Sequence, residues 1–256
     1  MHDTTIFAST AVEQPSWEPL LAKKLVNSVE PIRPSESIYV FDDAVDPVGC
    51  KSLIGQFAKQ VVYPVGVDGY CNDVEHAGSF RAMGWSPKLA STLHQVFRAL
   101  PQVIRNGHDG TLTSEGFASS GAPFRDEEEY YTLLGSTPWM RFMRYPSGGM
   151  HVPHYDASFF QAEESYRTLF SWVLYLTDCE PEQGGRFQFI DDAGDHNEYK
   201  DWTHMAQPSQ VQMSVRPKAG RLIVFPHWLC HQVEQFTGTV DNPLRIMIRG
   251  DVAYGY

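Results

Sequence analysis

From Trp139 onward the chain is a series of short β-prone runs broken at turn residues, and that cadence constrains its fold more than any other feature. The runs are 139–145, 151–157, 168–176, 186–190, 211–216, 221–225, 230–236 and 244–251, with Gly, Pro, Asn or Asp between most of them. Short strands at this spacing predict a sandwich or jelly roll.

The segment before them reads differently. Ile38-Tyr39-Val40-Phe41 is a short strand. Asp46-Pro47 and Ser86-Pro87 each pair a capping side chain with proline at the first helical position. Leu53, Ile54, Phe57, Ala58 and Val61 follow the first signal at helical spacing, and Leu89, Leu93, Val96, Phe97 and Leu100 follow the second. Trp17 to Val29 is expected to form a further short helix, after a loose arm or edge strand. Helices first and strands second predict an α+β chain: a double-stranded β-helix, a jelly-roll or cupin-like barrel, with N-terminal helices packed outside. All 256 residues suit one domain. Its expected parts are a helical support over 1–104, a loop or lid over 105–137 rich in Gly, Ser, Thr, Asp and Glu, and the β core over 138–256.

Charge narrows the partners. A formal net charge of −11, with no local run of Lys and Arg, argues against nucleic acid. A basic or neutral small molecule suits this charge better, and a small-molecule or peptidyl substrate is expected. No apolar stretch reaches membrane-spanning length, and no signal peptide stands at the N-terminus. The four cysteines form no C-x-x-C pair. They fit a reducing compartment, so a cytoplasmic protein is expected.

The chemistry concentrates in Tyr145-Pro-Ser-Gly-Gly-Met-His-Val-Pro-His154-Tyr-Asp156. On a strand, residues two apart share a face, so His154 and Asp156 are expected to converge. A third ligand has to come from elsewhere. The buried run Gly220-Arg-Leu-Ile-Val-Phe225 leads through Pro226, His227 and Trp228 to His231, and a strand-turn-strand there brings His231 beside the pair. Two imidazoles and one carboxylate on one side of an octahedron suit non-haem Fe(II), because three positions stay open. A 2-oxo acid fills two of them and O2 the third. A distal carboxylate needs a buried cation, and a guanidinium grips it bidentately. Arg245 on the last strand is the candidate, with Arg249 second. His151, three residues before His154, is expected to face away, and His227 to stand behind the ligands.

The ordering H-x-D, distant His, then Arg resembles the Fe(II)/2-oxoglutarate oxygenases, most closely the prolyl 4-hydroxylase-like branch. The resemblance rests on Tyr145-x-x-Gly-Gly before His154-Tyr-Asp156, Leu174-Tyr175-Leu176, Gly184-Gly185-x-x-x-Phe189, and Pro217-Lys-Ala-Gly220 before His231. It implies that His154, Asp156 and His231 ligate Fe(II), that Arg245 binds the C5 carboxylate of 2-oxoglutarate, and that Tyr145 and Tyr175 donate hydrogen bonds to the co-substrate. It also implies hydroxylation of an unactivated C–H, of an amino-acid-like small molecule or of a protein side chain such as proline, with succinate and CO2 as co-products. The segment Thr237 to Leu244 is longer than the family pattern. Blander readings stand beside these: Tyr145 and Tyr175 as core tyrosines, Gly184-Gly185 as a plain turn, and Arg81, Arg141 and Arg167 as either substrate-carboxylate ligands or salt-bridge residues. A cupin-type metal-dependent isomerase or lyase, or a non-catalytic jelly-roll binding protein, are the alternatives in function.

Overall fold

The computed structural model describes residues 38–57, 63–64, 79–100, 102–105, 130–161, 165–191 and 204–255. Within them the helix signals hold. α1 spans Pro47–Phe57 and α2 spans Pro87–Phe97. Asp46 Oδ1 accepts from Gly49 N–H at 2.6 Å, and Ser86 Oγ accepts from Leu89 N–H at 3.3 Å, so each helix begins with a satisfied donor. The expected helix over Trp17 to Val29 lies outside the described residues.

The strands are β1 (Tyr39–Phe41), β2 (Tyr63–Pro64), β3 (Phe80–Trp85), β4 (Val103–Arg105), β5 (Tyr130–Ser136), β6 (Trp139–Pro146), β7 (His151–His154), β8 (Phe160–Gln161), β9 (Tyr166–Tyr175), β10 (Phe187–Ile190), β11 (Val211–Val215), β12 (Leu222–Pro226), β13 (His231–Val233) and β14 (Leu244–Gly255). All pair antiparallel. One sheet runs β1-β12-β9-β14-β6-β3-β2, with β5 and β4 continuing from the far end of β14 and β8 beside β9. A second, smaller sheet runs β11-β10-β13-β7. This is the jelly roll expected from the cadence, with one correction: the two sheets face each other and do not close into a barrel.

The core is two layers, divided by the pleat of the large sheet. Leu174, Trp172, Phe142, Ile246, Ile248, Leu222 and Val224 point to the helix side and pack with Leu53 and Phe57 of α1 and Leu89, Leu93 and Phe97 of α2. Phe57 stacks on Phe142 at 4.8 Å. Their chain neighbours Val173, Tyr175, Met143, Tyr145, Met247, Ile223 and Phe225 point the other way, onto Phe187, Phe189, Val215 and Val233 of the small sheet. Covered on both faces, β9 is buried along almost its whole length.

The predicted loop over 105–137 needs correcting at its end. Residues 106–129 lie outside the described residues, but Tyr130–Ser136 is strand β5, paired to Val103–Arg105 and to β14. Its run Tyr-Tyr-Thr-Leu-Leu is β-prone, and it satisfies the backbone of the last four residues of β14, which runs past the predicted 251. The acidic run before it masked that signal. β3 was also missed, since Arg81 and Gly84 interrupt its apolar pattern. No helix among the described residues is long and apolar enough to cross a membrane.

Candidate active site

β7 and β13 pair with His154 directly opposite His231. Past that point the register shifts, because Val233 lies opposite His151. Two residues of β13 therefore span three of β7, and the extra residue reverses the alternation of faces. His151 does not face away as expected. Its ring stacks on that of His154 at 3.7 Å.

Asp156 lies beyond the end of β7, so the simple strand argument does not place it. Its N–H donates to the His227 carbonyl at 3.2 Å, in the turn between β12 and β13. The same turn thus delivers His231 and fixes the backbone of Asp156. One ligand atom from each of His154, Asp156 and His231 lies within 4.8 Å of the others, a group able to hold a metal ion.

Both imidazoles are prepared for such a role. Nδ1 of His154 lies 2.9 Å from the Val152 carbonyl, and Nδ1 of His231 lies 2.8 Å from the Leu229 carbonyl. A carbonyl only accepts, so each Nδ1 carries the proton and each Nε2 presents a lone pair. Burial, then the neighbouring His231, lowers the pKa of His154 to about 4. Burial likewise lowers that of His231 to about 4. Both rings are therefore neutral near neutral pH.

Asp156 has its own support. Arg249 Nη2 donates to Oδ1 at 2.6 Å and Arg249 Nε to Oδ2 at 3.3 Å, while Ser171 Oγ donates to Oδ2. Arg249, second candidate for the co-substrate, is thus engaged with the carboxylate of the cluster. Ser171 was missed from sequence, although a lone hydroxyl inside Leu169-Phe-Ser-Trp-Val-Leu174 is a legible signal of a satisfied polar contact.

Arg245 is fully buried and sits opposite Tyr145 in the β6–β14 register. Its guanidinium lies 4.7 Å from the Tyr145 ring and 5.2 Å from the Tyr175 ring. Among the described residues none of its Nε, Nη1 and Nη2 has a hydrogen-bond partner, and neither do the two tyrosine hydroxyls. Burial pushes the Tyr175 hydroxyl up to about 12 and raises that of Tyr145, so both remain protonated donors. A buried cation without an anion is costly. This cradle fits a planar carboxylate with two acceptor oxygens. Gly185 (φ +67°) is more than a turn residue, since a Cβ there would meet Arg245 Cδ at 2.9 Å. The cluster and the cradle adjoin the same aromatic packing between the sheets: Phe187 and Phe225, packed with Tyr145 and Tyr175, lie 4.9 and 4.8 Å from the His231 ring.

A jelly roll with two histidines, a carboxylate and a donor-lined buried arginine has the make-up of a non-haem iron oxygenase. Residues 140–250 match the model of the 2OG-Fe(II) oxygenase superfamily. That match indicates a 2-oxoglutarate-dependent dioxygenase, a class that uses Fe(II), 2-oxoglutarate and O2. Among curated proteins none matches the sequence at a significant level. Solved structures agree on the fold. A Pseudomonas putida prolyl-4-hydroxylase is 16% identical over 85% of this chain and 92% of that one, with a TM-score of 0.50. HygX from Streptomyces hygroscopicus, with nickel and 2-oxoglutarate bound, is 10% identical over 86% and 83%, at 0.50. OsALKBH1 is 13% identical over 87% and 99%, at 0.52.

Proposed function

We propose that His154, Asp156 and His231 hold the Fe(II), and that Arg245, with the hydroxyls of Tyr145 and Tyr175, binds the distal carboxylate of 2-oxoglutarate. The enzyme then hydroxylates an unactivated C–H, of an amino-acid-like small molecule or of a protein side chain such as proline, releasing succinate and CO2. The observation that carries this reading is the Arg245 cradle, buried and with every donor unfilled beside the three-residue cluster. A cupin-type isomerase or lyase has no use for that cradle, and neither does a non-catalytic binding protein.

When bound, the iron and its co-substrate supply the oxidising power. The chain's own residues do the rest. Neutral His154 and His231 give up no proton on ligation. Ser171 and Arg249 fix the carboxylate of Asp156. Arg245 anchors the co-substrate from its far end, and the aromatic wall of Phe187, Phe189 and Phe225 excludes water behind it. Two buried free cysteines, Cys50 and Cys179, support the cytoplasmic assignment within the same proposal.

The test is anaerobic addition of Fe(II) and 2-oxoglutarate to the metal-free protein. A visible charge-transfer band that needs both, and is lost in His154→Ala, is expected. Iron bound without such a band would sink the oxygenase reading.

A further inference from the structure

The site face of the large sheet carries more cations than the cofactors need. In the β6–β14 register Tyr145 lies opposite Arg245, Met143 opposite Met247, and Arg141 opposite Arg249. Paired residues share a face, so Arg141 stands on the cofactor side, one strand over from Arg249, whose guanidinium touches Asp156. Directly opposed side chains lie about 5 Å apart at Cβ. Arg141 is also near enough to His154 for its charge to disfavour protonation of that ring. Arg81, on β3, is diagonal to it across the pair Arg81–Met143, again on this face.

The three arginines on the site face of β6 and β14 differ in what answers their charge. Arg249 is answered by Asp156. Arg245 is answered, on the proposed function, by the co-substrate. Arg141 is half-buried, and among the described residues it has neither an ion pair nor a hydrogen bond. Arg81 adds positive potential from the side.

We propose that Arg141 binds a carboxylate of the substrate, so that the substrate is a free carboxylic acid of amino-acid size. This rests on the oxygenase reading above and narrows it. One unanswered guanidinium balances one negative charge; a phosphate dianion would remain half uncompensated in a partly desolvated site. Arg141 stands directly opposite Arg249, which holds Asp156, so only a few bonds fit between the gripped carboxylate and the carbon that is oxidised. An internal residue of a peptide, Asp and Glu apart, has no such carboxylate, so the free acid is favoured over a protein side chain such as proline.

The experiment uses the full chain loaded anaerobically with Fe(II) and 2-oxoglutarate. The probes are the twenty free amino acids, their methyl esters, and a blocked proline-containing peptide. Binding is read as a shift of the charge-transfer band, and turnover as succinate released after oxygen is admitted. At least one free acid is expected to shift the band and stimulate turnover, with its ester weaker by roughly 30-fold or more, the scale of one lost charge-assisted contact. Arg141→Gln is expected to weaken the acid by a similar factor and leave the ester unchanged, with Arg141→Lys between. An unaltered substrate-free band in Arg141→Gln shows that fold and cofactor sites survive. The proposal is overturned if ester or peptide binds as well as the acid, if Arg141→Gln binds the acid like the parent, or if no free acid shifts the band. Absence of the band in the parent protein is a different failure, that of the oxygenase reading itself.

Discussion

The two faces of the large sheet are built from alternate residues of the same strands and obey opposite rules. Toward α1 and α2 the sheet presents apolar side chains such as Trp172, Leu174, Phe142 and Ile248, which helix side chains fill. Toward the small sheet the same strands present Ser171, Arg249, Tyr175 and Arg245, with donors unfilled or spent on Asp156. One face is packed for stability. The other retains groups that folding alone would discard, as a site does when its binding energy is reserved for ligands.

Acid should separate the faces most strongly. His154 and His231 have pKa values lowered to about 4 by burial, against about 6.5 in an unfolded chain. The unfolded state therefore takes up protons first. Stability of the metal-free protein should be complete above about pH 6.5 and fall as pH drops toward 4, by up to about 1.4 kcal/mol per pH unit for each ring. Denaturant midpoints against pH, for the parent and for a His154→Gln/His231→Gln double variant, check this. The difference between the two curves should shrink or reverse with acid. A difference that stays flat from 6.5 to 4 would mean that the site face is no weaker in acid than the helix face.

A matched pair of substitutions comes next. Phe142→Ala removes a ring stacked on Phe57 and should cost about 3–5 kcal/mol of stability, with the 2-oxoglutarate affinity of the folded protein unchanged. Arg245→Met should do the reverse. Losing one partner of a buried charge pair should weaken 2-oxoglutarate by about 2–5 kcal/mol, while the metal-free protein keeps its stability or gains, because an unpaired buried charge is gone. Thermal unfolding and titration of the charge-transfer band read the two effects separately. If Arg245→Met destabilised the protein as Phe142→Ala does, Arg245 would be a core residue and the contrast would fail.

The helix face and the site face were not equally legible in the sequence. The helix face was written in helical spacing and in Asp46-Pro47 and Ser86-Pro87, signals that act within a few residues. On the site face the order His154, Asp156, His231, Arg245 could be read because the residue types carry their chemistry with them. What depended on register could not. The bulge that turns His151 onto the His154 ring, the placing of Asp156 by a carbonyl 71 positions later in the turn at His227, and the division of labour between Arg245 and Arg249 are all set by pairing between distant strands. The long segment after His231 left Arg245 open on sequence grounds. Its pairing with Tyr145 comes from β6, a hundred residues away, and not from the hairpin that precedes it.

The smallest expected effect tests how finely the site face is built. Ser171 is fully buried on β9, opposite Asp251 of β14, and its hydroxyl donates to Asp156 Oδ2 while accepting from Arg249 Nη2 at 3.2 Å. It carries no charge, so Ser171→Ala alters the orientation of Asp156 without altering the field at the cluster. Outer partners of metal ligands contribute about 10–100-fold to metal affinity. With Arg249 still in place, the low end, about 10-fold, is expected here. Equilibrium dialysis against Fe(II) without oxygen measures it, and 2-oxoglutarate affinity at saturating metal should not change. Arg249→Gln is the informative companion, because it removes orientation and a positive charge together. Loss of the charge should favour a cation, so its metal affinity should fall by less than the loss of two hydrogen bonds suggests, or rise. If Ser171→Ala bound Fe(II) as tightly as the parent, Arg249 alone would be holding Asp156. The hydroxyl would then belong with the packed residues of its strand, and the boundary between the two faces would run closer to His154, Asp156 and His231.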